Sequence, residues 1–207
     1  MDCLNKALEI DPQNEKAWYN KGTMLLKIRK LDDAVSSFEK VLNINPKNSY
    51  ALFNKGLALL YASKFHEALD CFETYLKQDY TYEPLIMKSV ALLNLKKYTD
   101  AENSLQAAIQ LDVKRFEAFF YLGLYYQRID EYEEAQKFYD KALTKSDDPA
   151  IWTNKALIYY DQGLYQESIT NLDKAEYGML KISQMSPTNK YSTETTWKNS
   201  TTNGVED

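Results

Sequence analysis

The stretch Ala17-Trp18-Tyr19-Asn20-Lys21-Gly22 decides the fold, because it returns 34 residues later as Ala51-Leu52-Phe53-Asn54-Lys55-Gly56. A weakened copy is Ile151-Trp152-Thr153-Asn154-Lys155-Ala156, and Ala118-Phe119-Phe120-Tyr121-Leu122-Gly123 stands between them. A second signature follows at a constant offset. Leu31-Asp32-Asp33-Ala34 is matched by Phe65-His66-Glu67-Ala68, Tyr98-Thr99-Asp100-Ala101, Tyr132-Glu133-Glu134-Ala135 and Tyr165-Gln166-Glu167-Ser168. Four places after each small residue comes a large apolar one: Phe38, Phe72, Leu105, Tyr139 and Leu172. Three places further lie Val41, Tyr75, Ala108, Ala142 and Ala175. Offsets of three and four share one helical face, and self-similarity at a fixed period of this length marks a repeat architecture.

Each repeat reads as two helices. In the first, helix A covers about Glu15 to Lys27 and helix B about Asp32 to Leu42. Asp32 and Asp33 fall at the start of helix B, where acidic groups cap a helix or favour its positive end. Asn45-Pro46 and Asp11-Pro12 end B helices, since proline restrains the residue before it and cannot continue the hydrogen-bond ladder. Gly22, Gly56 and Gly123 recur in mid-helix, where glycine costs about 1 kcal/mol in propensity. The pattern predicts a close approach of helix B to helix A, with Ala34, Ala68, Ala101 and Ala135 as the matching small surface.

This pattern resembles the tetratricopeptide repeat. Trp18, Gly22, Leu25, Ala34, Phe38 and Pro46 match in the first repeat, and Leu52, Gly56, Leu59, Ala68 and Phe72 in the second. The third departs most. Val90 stands for the small residue, Glu83-Pro84 opens it, and one residue is missing near Leu95-Lys96-Lys97. The fourth matches with Gly123, Tyr126, Ala135, Tyr139 and Ala142. The fifth matches with Trp152, Ala156, Tyr159, Leu172 and Ala175, with Ser168 in place of alanine. The resemblance implies an all-α tetratricopeptide-repeat α-solenoid, a right-handed superhelix of antiparallel helix pairs. Repeats are placed at 15–48, 49–82, 83–115, 116–148 and 149–181. Residues 1–14 form a preceding half-repeat, a helix B without its helix A. Residues 183–207 are rich in serine and threonine, with almost no apolar periodicity, and are expected to be disordered. Asn199-Ser200-Thr201 fits a glycosylation acceptor and is read as chance.

The 207 residues suffice for a real core, and 44% hydrophobic with 27% charged residues is an ordinary composition for a water-soluble protein. Only 5 prolines and 6 glycines interrupt it, which favours long helices. A net charge of -5 with interspersed signs and no basic block disfavours nucleic acid. No apolar run approaches the ~20 residues of a membrane span. The segment Met1 to Leu8 lacks the basic-then-apolar order of a signal peptide. Cys3 and Cys71 do not make a disulfide framework, so a reducing, cytoplasmic setting is expected. Catalysis needs groups converging on a pocket. His66 is the single histidine, at a turn, and no Walker loop, dinucleotide fingerprint or zinc spacing occurs. The chain is therefore expected to be no enzyme and to need no cofactor or metal.

In the tetratricopeptide-repeat family the A helices line a concave groove that binds a partner's peptide or extended segment. What the resemblance implies here is a groove with Lys16, Tyr19, Asn20, Thr23 and Lys27 from the first repeat. The second adds Tyr50, Phe53, Asn54, Leu57 and Tyr61, and the third Lys88. The fourth adds Phe120, Tyr121, Leu124 and Arg128, and the fifth Asn154 and Tyr160. Asparagines recur at one groove position (Asn20, Asn54, Asn154), where the side chain serves either a peptide backbone or a neighbouring repeat. Some family members clamp a partner's C-terminal carboxylate. Of that set only Asn54 and Lys88 are present, with Tyr19, Thr23 and Pro84 in the other places. The implied function is a protein-interaction adaptor. The alternative is self-assembly, a homo-oligomer formed through the uncapped N-terminal half-repeat and the terminal helices.

Overall fold

A computed structural model describes residues 2–185. The described residues hold eleven α-helices: α1 (Asp2–Ile10), α2 (Glu15–Lys27), α3 (Leu31–Ile44), α4 (Ser49–Tyr61), α5 (Phe65–Gln78), α6 (Tyr82–Asn94), α7 (Tyr98–Leu111), α8 (Glu117–Arg128), α9 (Tyr132–Leu143), α10 (Pro149–Asp161) and α11 (Tyr165–Met185). They fall into two compact units, one with α1–α7 and one with α8–α11. In the first, α1 packs on α2, followed by the pairs α2–α3, α4–α5 and α6–α7. The second holds the pairs α8–α9 and α10–α11. Helix α11 runs three residues past the expected tail boundary, and residues 186–207 of the expected tail lie outside the described residues.

The helices start and stop for local reasons. Asn14 and Asn48 accept hydrogen bonds from the Ala17 and Ala51 amides at 2.9 and 2.8 Å, and Asp148 does the same for Ala150. These side chains satisfy N–H groups that the first helical turn leaves without partners. The B helices begin differently. Lys30, Lys64, Lys97 and Glu131 precede them without a side-chain cap, so Asp32 and Asp33 act through the helix dipole in the first turn and not as caps. Each A helix ends in one turn type. In the first, Arg29 takes φ 60°, its N–H donates to Leu26 O, and Lys30 N–H donates to Leu25 O. Ser63, Lys96, Asp130 and Gly163 repeat the geometry. This is the Schellman closure, usually served by glycine, and here only the fifth turn uses one.

The core corrects the expectation for the mid-helix glycines. A Cβ placed on Gly22 would stand 2.7 Å from Phe38 Cε1, and one on Gly56 2.7 Å from Phe72 Cε1. At Gly123 the ring met is Tyr139. The glycines thus seat the large ring of helix B, not the alanine surface. Phe38, Phe72 and Tyr139 are fully buried. Where the ring is replaced by leucine (Leu105, Leu172), the facing position carries Ser89 or Ala156.

Ser89 also corrects the third repeat. Helix α6 begins at Tyr82, so its eighth residue is Ser89, as Gly56 is the eighth of α4. Ser89 is buried, with its hydroxyl donating to Ile86 O at 2.7 Å. Val90 is the next residue and is only half-buried. The turn Leu95–Lys97 has the length of Ala62–Lys64, so nothing is missing there. The shortening lies in the linker Asp79–Thr81, three residues where Asn45–Asn48 has four.

Candidate functional site

In the first unit the A helices α2, α4 and α6 lie side by side, and their outward side chains form the candidate face. Asn54 Nδ2 donates to Tyr19 Oη at 2.9 Å, tying α4 to α2. Of the two roles open to the recurring asparagine, Asn54 thus makes the contact between neighbouring repeats. Asn20 is exposed, with its carbonyl accepting from the Thr23 hydroxyl at 2.9 Å. Tyr19 packs edge-on against Phe38 at 5.9 Å, and Phe53 packs against Phe72 and Tyr75 at 5.9 Å each. Both rings are half-buried and form the wall between core and surface. Thr23 and Leu57 are half-buried beside them, while Lys16, Lys27 and Tyr50 stand in solvent.

Tyr61 is also half-buried, and the Arg29 guanidinium lies over its ring at 4.7 Å. Arg29 was not a sequence candidate. It reaches Tyr61 from the left-handed turn after α2, a conformation with no glycine to announce it.

Lys88 does not join this face. With the register of α6 corrected, Lys88 is the seventh residue of its helix, equivalent to Lys55. Its ammonium lies 3.0 Å from Glu73 Oε1 of α5. It lines an open cleft of about 600 Å³ with Leu69, Tyr80, Leu85, Lys97 and Asp100. The position equivalent to Asn54 in the third repeat is Met87, so the carboxylate clamp keeps Asn54 alone.

In the second unit α8 and α10 are neighbours. Tyr121 and Leu124 are half-buried, Arg128 is exposed, and Tyr160 is 60% exposed with its ring edge-on to Tyr165 at 5.6 Å. Phe120 is buried to 5% exposure against Tyr139 and Tyr121, which makes it core. Asn154 is 8% exposed and donates to Ala150 O of its own helix at 2.7 Å. The three recurring asparagines therefore do three different things. Tyr139, whose hydroxyl donates to Gln127 at 2.7 Å, has its phenol held well above the usual range by burial, which disfavours the charged form.

Neither face gathers nucleophiles or acid–base pairs. His66 is exposed at the start of α5. Among the described residues no group of three His, Cys, Asp or Glu side chains could hold a metal ion, and no helix is long and apolar enough to cross a membrane. Cys3 and Cys71 are free thiols, the first exposed and the second buried. What such faces can do is present aromatic, aliphatic and hydroxyl groups to a ligand.

Family models described as tetratricopeptide repeat match residues 15–48, 37–70, 86–149 and 122–179. No curated protein sequence matches the chain significantly. Solved structures do. A tetratricopeptide repeat protein from Parabacteroides merdae is 19% identical with a TM-score of 0.77, covering 86% of this chain and 71% of that one. A thermophilic TPR protein of Thermus thermophilus, TTC0263, is 21% identical with a TM-score of 0.72, covering 83% and 94%. YrrB, described as a TPR protein with an unusual peptide-binding site, is 21% identical with a TM-score of 0.59, covering 83% and 90%. At such identities the likeness speaks for fold alone. With the repeat models spanning most of the described residues and the paired helices packed ring-on-glycine as set out above, the chain belongs to the tetratricopeptide-repeat family.

Proposed function

We propose that the chain is a non-enzymatic, cytoplasmic adaptor whose A-helix faces bind an extended peptide segment of a partner protein. The observation that supports this best is the face of the first unit. Half-buried Tyr19, Phe53, Leu57 and Tyr61 stand on adjacent helices, braced by the Asn54–Tyr19 hydrogen bond and by Arg29 on Tyr61. Rigid aromatic side chains in a held arrangement are what interface anchors consist of, and their ordering is done before a ligand arrives. The Thr23 hydroxyl and the exposed Asn20 amide add hydrogen-bonding capacity at the same face. YrrB, of the same fold, is described as peptide-binding. That description is of YrrB; for this chain a peptide is the ligand class we propose on the strength of the aromatic face.

The test is capture of partners from lysate by the full chain, repeated with Leu57→Glu and Tyr61→Ala. Neither side chain is fully buried, so the helical circular dichroism should be unchanged. The reading predicts at least a tenfold loss of the captured partner. Equal capture by folded variants would refute the assignment of this face.

A further inference from the structure

Successive repeats of the first unit can be compared place by place, because α3, α5 and α7 have 14 residues each and α4 and α6 have 13. The cleft that Lys88 lines lies where α5, α6 and α7 meet. The corresponding junction one repeat earlier is that of α3, α4 and α5. Lys64, the residue before α5, lies 2.9 Å from Asp32, the second residue of α3. Its equivalent is Lys97, the residue before α7, but the second residue of α5 is His66, which offers no carboxylate. Lys97 makes no ion pair among the described residues. Lys77 stands where α3 has Asn43, and it too makes no ion pair among them. Asn103 of α7 stands where α5 has Asp70. Each of these changes moves the cleft toward positive charge, in a chain whose net charge is -5.

The acids that remain do not reverse this. Glu73 is engaged by Lys88 at 3.0 Å. Asp100 is common to both junctions, with Glu67 as its equivalent in α5. The cleft also carries apolar surface beside its free cations. Leu76 is half-buried, and Tyr80 is 57% exposed where the linker after α3 has Pro46.

We propose that this cleft binds an acidic peptide segment of a partner protein, in which carboxylates flank a leucine or an aromatic residue. The carboxylates meet Lys77 and Lys97, and the apolar residue lies on Leu76 and Tyr80. A small anion would leave the apolar surface uncovered, and a basic segment would be repelled by both lysines. None of these residues belongs to the A-helix face, and the proposal is independent of what that face binds.

The probe is an array of short synthetic peptides with aspartate or glutamate on both sides of a leucine, phenylalanine or tryptophan. The same peptides with asparagine and glutamine for the acids stand beside them. The full chain is applied, and the tightest peptide is titrated by fluorescence anisotropy, with folding monitored by circular dichroism. The acidic set should bind and the amide set should not, and binding should fall with added salt. Lys77→Ala and Lys97→Ala should each weaken it about two- to fivefold, the scale of an exposed ion pair. His66→Asp, which supplies the acid that Lys64 has in Asp32, should match the loss caused by Lys97→Ala. Leu57→Glu should leave binding unchanged.

No preference for the acidic set overturns the proposal, as does binding indifferent to both lysine variants and to His66→Asp. Binding lost on Leu57→Glu overturns it too, since the peptide would then sit on the A-helix face. So does full displacement by inorganic phosphate, which would make the cleft a site for small anions. Binding seen only in a full-chain variant with Glu194→Gln, Glu206→Gln and Asp207→Asn would make the chain's own carboxylates the occupant. Self-association of the chain that Lys77→Ala with Lys97→Ala abolishes would make it a second copy. Either result overturns the proposal.

Discussion

Replacing Gly56 by alanine sets two known effects against each other. Alanine in a helix interior gains about 1 kcal/mol over glycine in propensity. The added methyl would lie 2.7 Å from Phe72 Cε1, against the 3.5–4.0 Å at which carbon pairs rest. Relief requires a shift near 1 Å from a ring that is fully buried and packed against Phe53. Overpacking of that kind costs roughly 1–3 kcal/mol, so the net expectation is a loss of about 1 kcal/mol. The partner substitution gives the decisive arm. Phe72→Leu alone should cost about 1–3 kcal/mol through lost contacts and a cavity. Together with Gly56→Ala it recreates the pairing of Ala156 with Leu172. The double variant should therefore be more stable than the sum of the single changes by about 1–2 kcal/mol, a coupling typical of residues in contact. The assay is urea denaturation followed by circular dichroism across the four-member cycle. A Gly56→Ala variant stabilised by the full propensity gain, or a cycle that closes additively, would refute ring-on-glycine packing.

Further expectations concern the turns, the Lys155–Asp140 ion pair and the thiols. Ser63 holds φ 58° at an A–B turn, a left-handed conformation costing about 1–2 kcal/mol outside glycine. Ser63→Gly should raise the unfolding free energy by about 0.5 kcal/mol once glycine's extra chain entropy is set against the relieved strain, seen as a higher denaturant midpoint, and a lower midpoint would contradict this. Asp140→Lys places like charge against Lys155, itself 8% exposed. It should destabilise by about 1 kcal/mol and be partly rescued by Lys155→Glu, as denaturant titrations would read out. Burial pushes the Cys71 thiol up to about 11 from 9.0. The unfolded thiol ionises first as pH rises, so this contribution to stability is complete below pH 9 and lost between 9 and 11. Cys71→Ala should flatten that stretch of the stability profile, and a thiol reagent at neutral pH should label exposed Cys3 while leaving Cys71 to react on unfolding.

The helix pairs were legible because periodicity reports the buried face, and Phe38, Phe72, Leu105 and Tyr139 are all fully buried. Three features were not. The third repeat was misread by one residue because the shortening sits in an irregular linker, Asp79–Thr81, where no periodic signal marks it. That single slip moved Lys88 onto the wrong face and hid Ser89. The partner of the glycines was assigned to alanine because small residues recur on both helices. Only coordinates show that the space is taken by a ring sixteen positions on. The left-handed turns at Arg29, Ser63, Lys96 and Asp130 carry no glycine, so the cation that covers Tyr61 could not be foreseen. Three junctions between successive helices carry a lysine–acid pair, Lys55 with Glu39, Lys88 with Glu73 and Lys155 with Asp140. The likeness of the Lys88–Glu73 pair to the Lys55–Glu39 pair becomes visible once the register of α6 is right. The candidate face was legible in outline: Tyr19, Thr23, Asn54, Leu57 and Tyr61 do lie on neighbouring helices, while Phe120 and Asn154 are buried.

The most direct test of peptide binding is selection of random peptides on the immobilised full chain, followed by amide chemical-shift mapping of the enriched peptide. The account predicts saturable shifts at Thr23, Asn54, Leu57 and Tyr61, abolished by Leu57→Glu. Failure to enrich any peptide, or shifts confined to residues away from the A-helix faces, would contradict it.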